Sequence, residues 1–294
     1  MDVSHFALGP DRLIWSDAST VHVASTAGEW PVEIARVELD SAERDVVGVA
    51  TDGNYSYWLD CGLHRFTVAD APRKLGDWNC GLEGEGPRAL TLSGGVVYLT
   101  VAEEWSFVHT ASLDATGEAT ARLDVGGPLA IDDHLAVGAH SGRGPDEDLV
   151  AQTLPPGKTR VLVGSANWMS RVRIDGGDAY FDAAFSESES WHHAIWRVPL
   201  DGGTPTAIVD LEGHGFPGYG KTVDFAMASG TLFLVELAWT GEANVTRLES
   251  IGAGGRRTLA TCATGSFGHD TQIDLDDRAL YFLDGDSTLR RLDR

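Results

Sequence analysis

Short apolar runs alternate with polar, glycine-containing turns along the whole chain of 294 residues. Seven of these runs stand in similar contexts, each after an alternating segment and a turn with Gly, Asp or both. They end at Trp15, Trp58, Tyr98, Val137, Phe181, Leu234 and Phe282. The runs recur at roughly 40- to 50-residue intervals, close to the length of a four-stranded propeller blade.

The fifth unit shows the internal pattern of the repeat best. The segments "RVRID" and "DAYFD" flank a Gly-Gly turn, and "AIWRVPL" and "PTAIVDL" flank the turn "DGGT". Period-two alternation with β-branched and aromatic residues predicts strands, and the glycine turns predict hairpins. No segment combines a helical period with helix end signals.

These units predict an all-β fold: one domain over residues 1–294, a seven-bladed β-propeller with about 42 residues per blade. A ring lets every blade bury both faces, which accounts for strands that are apolar on two sides. The segment "TLRRLDR" follows the third strand of the last unit. The last blade is therefore three-stranded, unless the assignment of strands to blades is shifted by one strand along the chain. Repeat length disfavours an open β-helix, and the lack of a linker disfavours two β-sandwiches.

Three motifs carry a family resemblance. "IWSD" (14–17), "YWLD" (57–60) and "YFLD" (281–284) resemble the YWTD-type blade motif, and "IWRVPLDGGTPT" is similar to blade ends of YWTD and TolB-like propellers. Length and blade number also resemble the streptogramin-lyase group. The regular repeats of that group are missing, so its catalytic residues are not transferred. The resemblance implies an architecture and leaves the function open.

Composition excludes several classes of function. The net charge of −22 argues against nucleic acid and anionic membrane partners. The chain has no membrane-length apolar run and no secretory signal, so we expect a cytoplasmic location unless a leader was removed. Cys61, Cys80 and Cys262 are expected to be small buried or loop thiols, because three sparse cysteines do not form a disulfide framework.

Residues 215–222, "GFPGYGKT", fit the phosphate-binding pattern G-x-x-x-x-G-K-[ST]. Such a loop needs a helix after it, and "VDFAMASGTLFLVEL" instead predicts a hairpin. Nucleotide hydrolysis is therefore not expected. The glycine-rich backbone can still form a nest for an anion.

The longer connections should share one face of the propeller, here called the loop-rich face. Five tryptophans fall in its loops, and their exposed rings favour an aromatic-walled pocket or caps on the blade ends. The candidate ligand-binding residues on this face are Trp78, Arg88, Trp105, Trp168, Arg171, Trp191, His192, Phe216, Tyr219, Lys221 and Trp239.

Cations mark the expected mouth of the central channel. His5, Arg88, Arg171, Lys221 and His269 lie at or just before predicted inner strands. We interpret them as a site for a carboxylate or phosphate, since Arg offers a bidentate fork and Lys a point charge. The alternative is that they pair with acidic loop residues.

Candidate catalytic residues lie on the same face. His214, His269 and Asp270 could supply acid–base chemistry, and Asp146, Asp148, Glu187 and Glu189 are nearby acids. A divalent metal could bind His192, His193, His214 and His269, although their spacing gives no specific support. No cofactor is predicted.

Three functions remain open. The first is a recognition propeller that binds a small anionic or aromatic molecule, or a peptide, at the channel mouth. The second is an enzyme, a lyase, hydrolase or cyclase, and the third is a protein–protein scaffold. An enzyme should show two perturbed titratable groups at one pocket, and a scaffold a broad apolar patch. We favour the binder. The oligomeric state is not predicted.

Overall fold

The computed structural model describes fourteen stretches of the chain: residues 3–28, 31–39, 46–77, 86–103, 107–113, 119–132, 134–141, 146–155, 157–167, 169–187, 190–211, 223–239, 243–264 and 271–294. All regular elements in these stretches are β-strands. Within them, no helix is long and apolar enough to cross a bilayer. The all-β prediction is confirmed.

Three four-stranded sheets are formed by the first twelve strands in chain order. The first sheet holds β1 His5–Gly9, β2 Arg12–Ser16, β3 Thr20–Ser25 and β4 Val32–Glu38. The second holds β5 Gly48–Thr51, β6 Ser56–Leu59, β7 Gly62–Phe66 and β8 Arg73–Asp77. The third holds β9 Gly86–Ser93, β10 Val96–Glu103, β11 Phe107–Leu113 and β12 Ala119–Leu123.

The next eight strands form one eight-stranded sheet. They are β13 Gly126–Ile131, β14 Leu135–Ser141, β15 Asp146–Thr153, β16 Thr159–Asn167, β17 Val172–Asp175, β18 Asp178–Glu187, β19 Ser190–Pro199 and β20 Thr206–Asp210. The fifth sheet holds β21 Val223–Ala228, β22 Thr231–Trp239, β23 Asn244–Gly252 and β24 Gly255–Thr264. The sixth holds β25 Gln272–Leu275, β26 Ala279–Leu283 and β27 Leu289–Asp293.

The described residues therefore form six blades, and the prediction of seven is wrong. The reason is a single pairing: Asn167 at the end of β16 pairs with Ala184 in β18. This pairing joins the predicted fourth and fifth units, β13–β16 and β17–β20, into one sheet. The last sheet has three strands, which agrees with the expectation for the last blade.

The chain divides into two compact units. The N-terminal unit comprises Val3–Arg143 and Ala151–Arg160, and the C-terminal unit comprises Met1–Asp2, Gly144–Val150 and Val161–Arg294. Within the N-terminal unit the first strands of successive sheets, β1, β5, β9 and β13, lie side by side. Within the C-terminal unit β17, β21 and β25 do the same.

Each unit has a core built between adjacent sheets. In the N-terminal unit, Ile14 and Val23 of the first sheet pack with Trp58 and Phe66 of the second. In the C-terminal unit, Leu248 of the fifth sheet packs with Phe282 and other apolar residues of the last sheet. Sheets thus pack against adjacent sheets, as strands that are apolar on both faces predict.

The YWTD-like motifs have a common geometry in the first two sheets. Trp15 in β2 is opposite His22 in β3, and their rings stack with centroids 4.8 Å apart. Trp58 in β6 is opposite His64 in β7, with centroids 4.4 Å apart. The aromatic residue of the motif therefore covers the imidazole on the next strand.

The aspartate of each motif joins the turn to a basic side chain on the third strand. Asp17 accepts hydrogen bonds through Oδ1 from the N–H groups of Ser19 and Thr20, and its Oδ2 lies 3.2 Å from Nε2 of His22. In the last sheet, Arg290 takes the place of histidine, and its Nε donates to Oδ2 of Asp284 over 2.6 Å. One side chain thus closes a turn and pairs across the strands.

Asp60 repeats the arrangement with one oxygen. Its Oδ1 accepts from the N–H of Gly62 and lies 3.3 Å from Nε2 of His64. Burial opposes ionisation of Asp60, but these contacts hold the pKa of its carboxyl below the ordinary value. For Asp17, burial is likewise outweighed by the contacts with Ser19, His22 and Thr20, so its pKa is lowered.

The cysteine expectation needs a correction. Cys61, in the turn before β7, is disulfide-bonded, and its partner lies outside the described residues. Cys262 in β24 is free and partly buried. A disulfide forms only where the fold brings two thiols within bonding distance, and cysteine spacing alone does not report that proximity.

We predict that Asp17→Asn lowers the free energy of unfolding by about 1–3 kcal/mol at pH 6, because it removes a charged partner of buried His22. Asparagine keeps the Oδ1 acceptor for the turn. Asp132→Asn is the matched control, since Asp132 Oδ1 caps a similar turn at His134 and Leu135. Urea denaturation measures both variants, and equal losses would contradict the role of the ion pair.

The same variant should lose its effect in acid. Because the folded-state pKa of Asp17 is lowered, its contribution is present above the ordinary aspartate pKa of about 3.9 and is lost as pH falls through the lower folded value. The difference between wild type and Asp17→Asn should therefore shrink between about pH 5 and pH 2. Urea midpoints across this range test it, and a constant difference would show that charge is not involved.

The cysteine assignments predict one free thiol per chain. Thiol titration of the unreduced, denatured protein should detect the sulfhydryl of Cys262 alone, and reduction should raise the count to the three cysteines of the sequence. Three thiols before reduction would refute the disulfide at Cys61.

Candidate functional site

In the C-terminal unit, β18 and β19 form a hairpin of two ten-residue strands. β17 pairs only with residues 178–181 of β18, and β20 pairs only with residues 194–197 of β19. The ends of both hairpin strands therefore extend past their neighbours. The segment "AAFSESESWHH", predicted as a loop, consists largely of strand: β18 runs to Glu187 and β19 begins at Ser190.

Strand alternation divides the hairpin residues between two faces. Asp182, His193 and Trp191 lie on one face, since His193 is opposite Ala184 and Trp191 is opposite Ser186. This is also the face on which Tyr180 packs with residues of β21 and β22. We call it the β21 side of the hairpin.

The predicted ligand-binding residues Trp191 and His192 therefore lie on opposite faces. Trp191 is 45% exposed. His192 shares its face with Trp196, its ring centroid 5.1 Å from that ring, and its Nε2 lies 2.7 Å from Oδ1 of Asp210. The His192 side chain is thus part of the packing of the hairpin itself.

Asp182 organises the entry to the inner strand β17. Its Oδ1 accepts hydrogen bonds from the N–H groups of Ser170, at 2.9 Å, and Arg171, at 2.6 Å, while Oδ2 bonds with Ser170 Oγ. Burial raises the pKa of the Asp182 carboxyl, although these donors and the charge of His193 act in the opposite direction. One buried side chain therefore satisfies three donors of the chain segment before β17.

Glu147 approaches the same segment from β15. Its Oε2 accepts from the N–H of Met169 at 3.3 Å. Burial is the main cause of the raised pKa of Glu147; the Met169 N–H lowers it and the charge of Asp182 raises it further. Two carboxylates from different strands thus hold three consecutive backbone N–H groups.

Arg171 lies immediately before β17, as the sequence predicts. Its Nε donates to Oδ1 of Asp224 over 2.8 Å, and Asp224 is almost fully buried. Asp224 also accepts from the N–H of Ile273 and lies 3.8 Å from Arg173. A carboxylate thus pairs with Arg171, but it belongs to strand β21 and not to a loop, as the alternative interpretation of the mouth cations expects.

Most other predicted site residues cannot be placed. Outside the described residues lie Trp78, Trp105, Trp168, Phe216, Tyr219, Lys221 and the candidate catalytic residues His214, His269 and Asp270. For Arg88 in β9 and Trp239 at the end of β22, only the strand placement is described. Trp239 was expected in a loop, and it is the last residue of its strand. The catalytic alternative therefore stays an untested prediction.

Sequence reasoning missed Asp182, Asp224 and Glu147, and of the residues beside Glu147 it named Asp146 and Asp148. Asp148, predicted as a loop acid, lies in β15 and accepts from the N–H of Ser165. A usable signal was present: "YFDAAF" and "VDFAMA" each place a lone acid inside an apolar strand. Such an acid is rarely buried unless it is paired.

Metal binding receives no support from the geometry of the described residues. In those stretches, no group of three or more His, Cys, Asp or Glu side chains could hold an ion. His192 and His193, two members of the predicted set, point to opposite faces of β19. The other two, His214 and His269, lie outside the described residues.

Sequence comparison identifies no relatives. No family model matches the chain, and no curated protein matches it. Structural similarity is broad in contrast, with 425 chains of known structure matching.

Three similar structures illustrate the range. The N-terminal domain of Nup159 has a TM-score of 0.59 at 12% identity, over 99% of this chain and 89% of that one. Hsv2 from Kluyvelomyces marxianus has a TM-score of 0.61 at 11% identity, over 97% and 90%. TolB from Acinetobacter baumannii has a TM-score of 0.50 at 14% identity, over 86% of this chain and 61% of TolB.

This chain thus spans less than two thirds of TolB. At such identities the similarity shows the fold alone. The finer resemblance to YWTD and streptogramin-lyase propellers remains a prediction. What the geometry and the comparisons establish together is that the chain has a β-propeller fold.

Proposed function

We propose that this protein is a recognition propeller that binds a small molecule or peptide side chain combining a planar ring with a negative charge. The observation that supports it is Trp191: a large aromatic side chain that is 45% exposed near the tip of an extended hairpin. Exposed tryptophan is unfavourable in water unless it covers or binds something, and aromatic anchors are typical of binding sites.

The anionic group of the ligand would meet arginines on the same side of the hairpin, where the acids Asp182 and Asp224 already pair with backbone N–H groups and with Arg171. Arg171 and Arg173 lie in or beside β17, and His193 shares the β21 side with Trp191. The anchoring of Arg171 by Asp224 fixes its guanidinium in place. A pre-positioned cation loses less entropy when it binds an anion.

The two alternatives receive less support. A scaffold should present a broad apolar patch, whereas the exposed large apolar side chains of the described residues are spread over several elements: Val32, Ile34, Tyr55, Val68, Val161, Trp191 and Ile208. An enzyme needs an acid and a base facing substrate, whereas the Asp182 oxygens accept hydrogen bonds from Ser170 and Arg171.

Three small probes separate the ring from the charge. Indole-3-acetate carries both, tryptamine carries the same ring with the opposite charge, and acetate carries the charge alone. We expect saturable binding of indole-3-acetate, measured by calorimetry or saturation-transfer NMR, and weaker binding of the other two. Equal binding of tryptamine would contradict an anion-selective site.

We predict that Trp191→Ala weakens indole-3-acetate binding roughly tenfold, because an aromatic contact contributes about 1 kcal/mol beyond its buried area. Val161→Ala is the control, since Val161 is an exposed apolar residue on β16, 58% exposed. Unchanged affinity in Trp191→Ala would place the ligand elsewhere or show that there is none.

A further inference from the structure

The connection into β17 is held by carboxylates. The N–H of Met169 donates to Glu147, and the N–H groups of Ser170 and Arg171 donate to Asp182. The two acids come from β15 and β18, so they grip one short segment from two strands. Besides these carboxylates, the N–H of Asp182 donates to the carbonyl oxygen of Arg171.

We propose that Glu147 and Asp182 are positioning residues that fix Met169–Arg171 at the entry of β17 and make the placement of Arg171 dependent on pH. The link from Arg171 to a ligand rests on the proposed function. The grip on the segment rests on the hydrogen bonds alone.

The physical basis is the closeness of two like charges, of which Asp182 is buried and Glu147 is partly buried. Asp182 is 5% exposed, and the charge of Asp182 acts on Glu147. When both acids are ionised, they repel each other in a poorly solvated environment. When one holds a proton, its carbonyl oxygen still accepts the backbone N–H, and the repulsion is gone.

Other charged groups face this pair from each neighbouring element. His193 on β19 favours the ionised form of Asp182. Arg171 is drawn towards Asp224 of β21, together with Arg173. Asp148 on β15 bonds to the N–H of Ser165 instead. His193 thus favours the ionised form of Asp182, whereas burial and the charge of Asp182 oppose ionisation of Glu147.

The sign of the effect follows from the direction of the pKa shifts. Both acids have a folded-state pKa above the ordinary value. The stability they contribute is fully present below the ordinary pKa of about 4, and it is lost as pH rises through the raised folded value. The segment 169–171 should therefore open more readily at higher pH.

Amide hydrogen exchange of the full chain between pH 4.5 and 8, corrected for the intrinsic rate, tests this prediction. Protection of Met169, Ser170 and Arg171 should fall with rising pH, by about tenfold for each unit of raised pKa. A wild-type segment with constant protection would overturn the proposal without any variant.

Two variants refine the test. Glu147→Gln keeps an acceptor for Met169 and should reduce the pH dependence, and adding Asp182→Asn should remove it. Asp148→Asn, the adjacent acid on β15, should behave as wild type. A Glu147→Gln variant with the wild-type slope would overturn the role of Glu147.

Indole-3-acetate binding over the same pH range separates the two proposals. If exchange follows pH but Trp191→Ala binds the probe as wild type does, the positioning role stands and the proposed function fails. If probe binding requires Trp191 but hydrogen exchange does not change with pH, the proposed function stands and the positioning role fails. Affinity that falls with the protection of Arg171 supports both.

Discussion

A sheet with apolar residues on both faces has to be covered on both sides, and this requirement shapes each unit of the protein. Val23 and Trp58 belong to different sheets of one core, and so do Leu248 and Phe282. Burial of large side chains such as these contributes about 1.5–3 kcal/mol each. Within the covered sheets, backbone N–H groups pair in the ladders. At strand ends the N–H groups leave the ladder and need another acceptor.

Acidic side chains supply these acceptors at several strand ends. Asp17 and Asp284 close turns after second strands, Asp132 closes a turn between first and second strands, and Asp182 and Asp224 meet N–H groups at the entries of inner strands. The net charge of −22 thus has a structural component. Carboxylates are strong acceptors for backbone N–H groups, and several of them pair with Arg or His as well.

The repeat and the strand content could be read from the sequence, because alternation and glycine turns are local properties. Gly176 and Gly177, for example, both adopt positive φ in the predicted turn before β18. Strand ends and blade count could not be read. The extra pairing of Asn167 with Ala184 depends on where two strands end in space, and nothing local encodes it.

The site was only partly predictable for a related reason. Arg171 was found through its position at a strand entry, and Trp191 through its residue type. Their neighbours Glu147 and Asp182 come from strands distant in sequence from one another. The lone acids in "YFDAAF" and "VDFAMA" could have been recognised as buried, but their partners could not have been named without the register.

The pairing of Asn167 with Ala184 has a consequence for how the chain can be divided. Among the described residues, no ladder joins β4 to β5 or β24 to β25, so a permuted or shuffled gene could be cut there without dividing a sheet. Between β16 and β18 a ladder contact crosses the repeat boundary. Replacing only β13–β16 or only β17–β20 would divide this sheet. A recombined gene would therefore have to exchange the two repeats together.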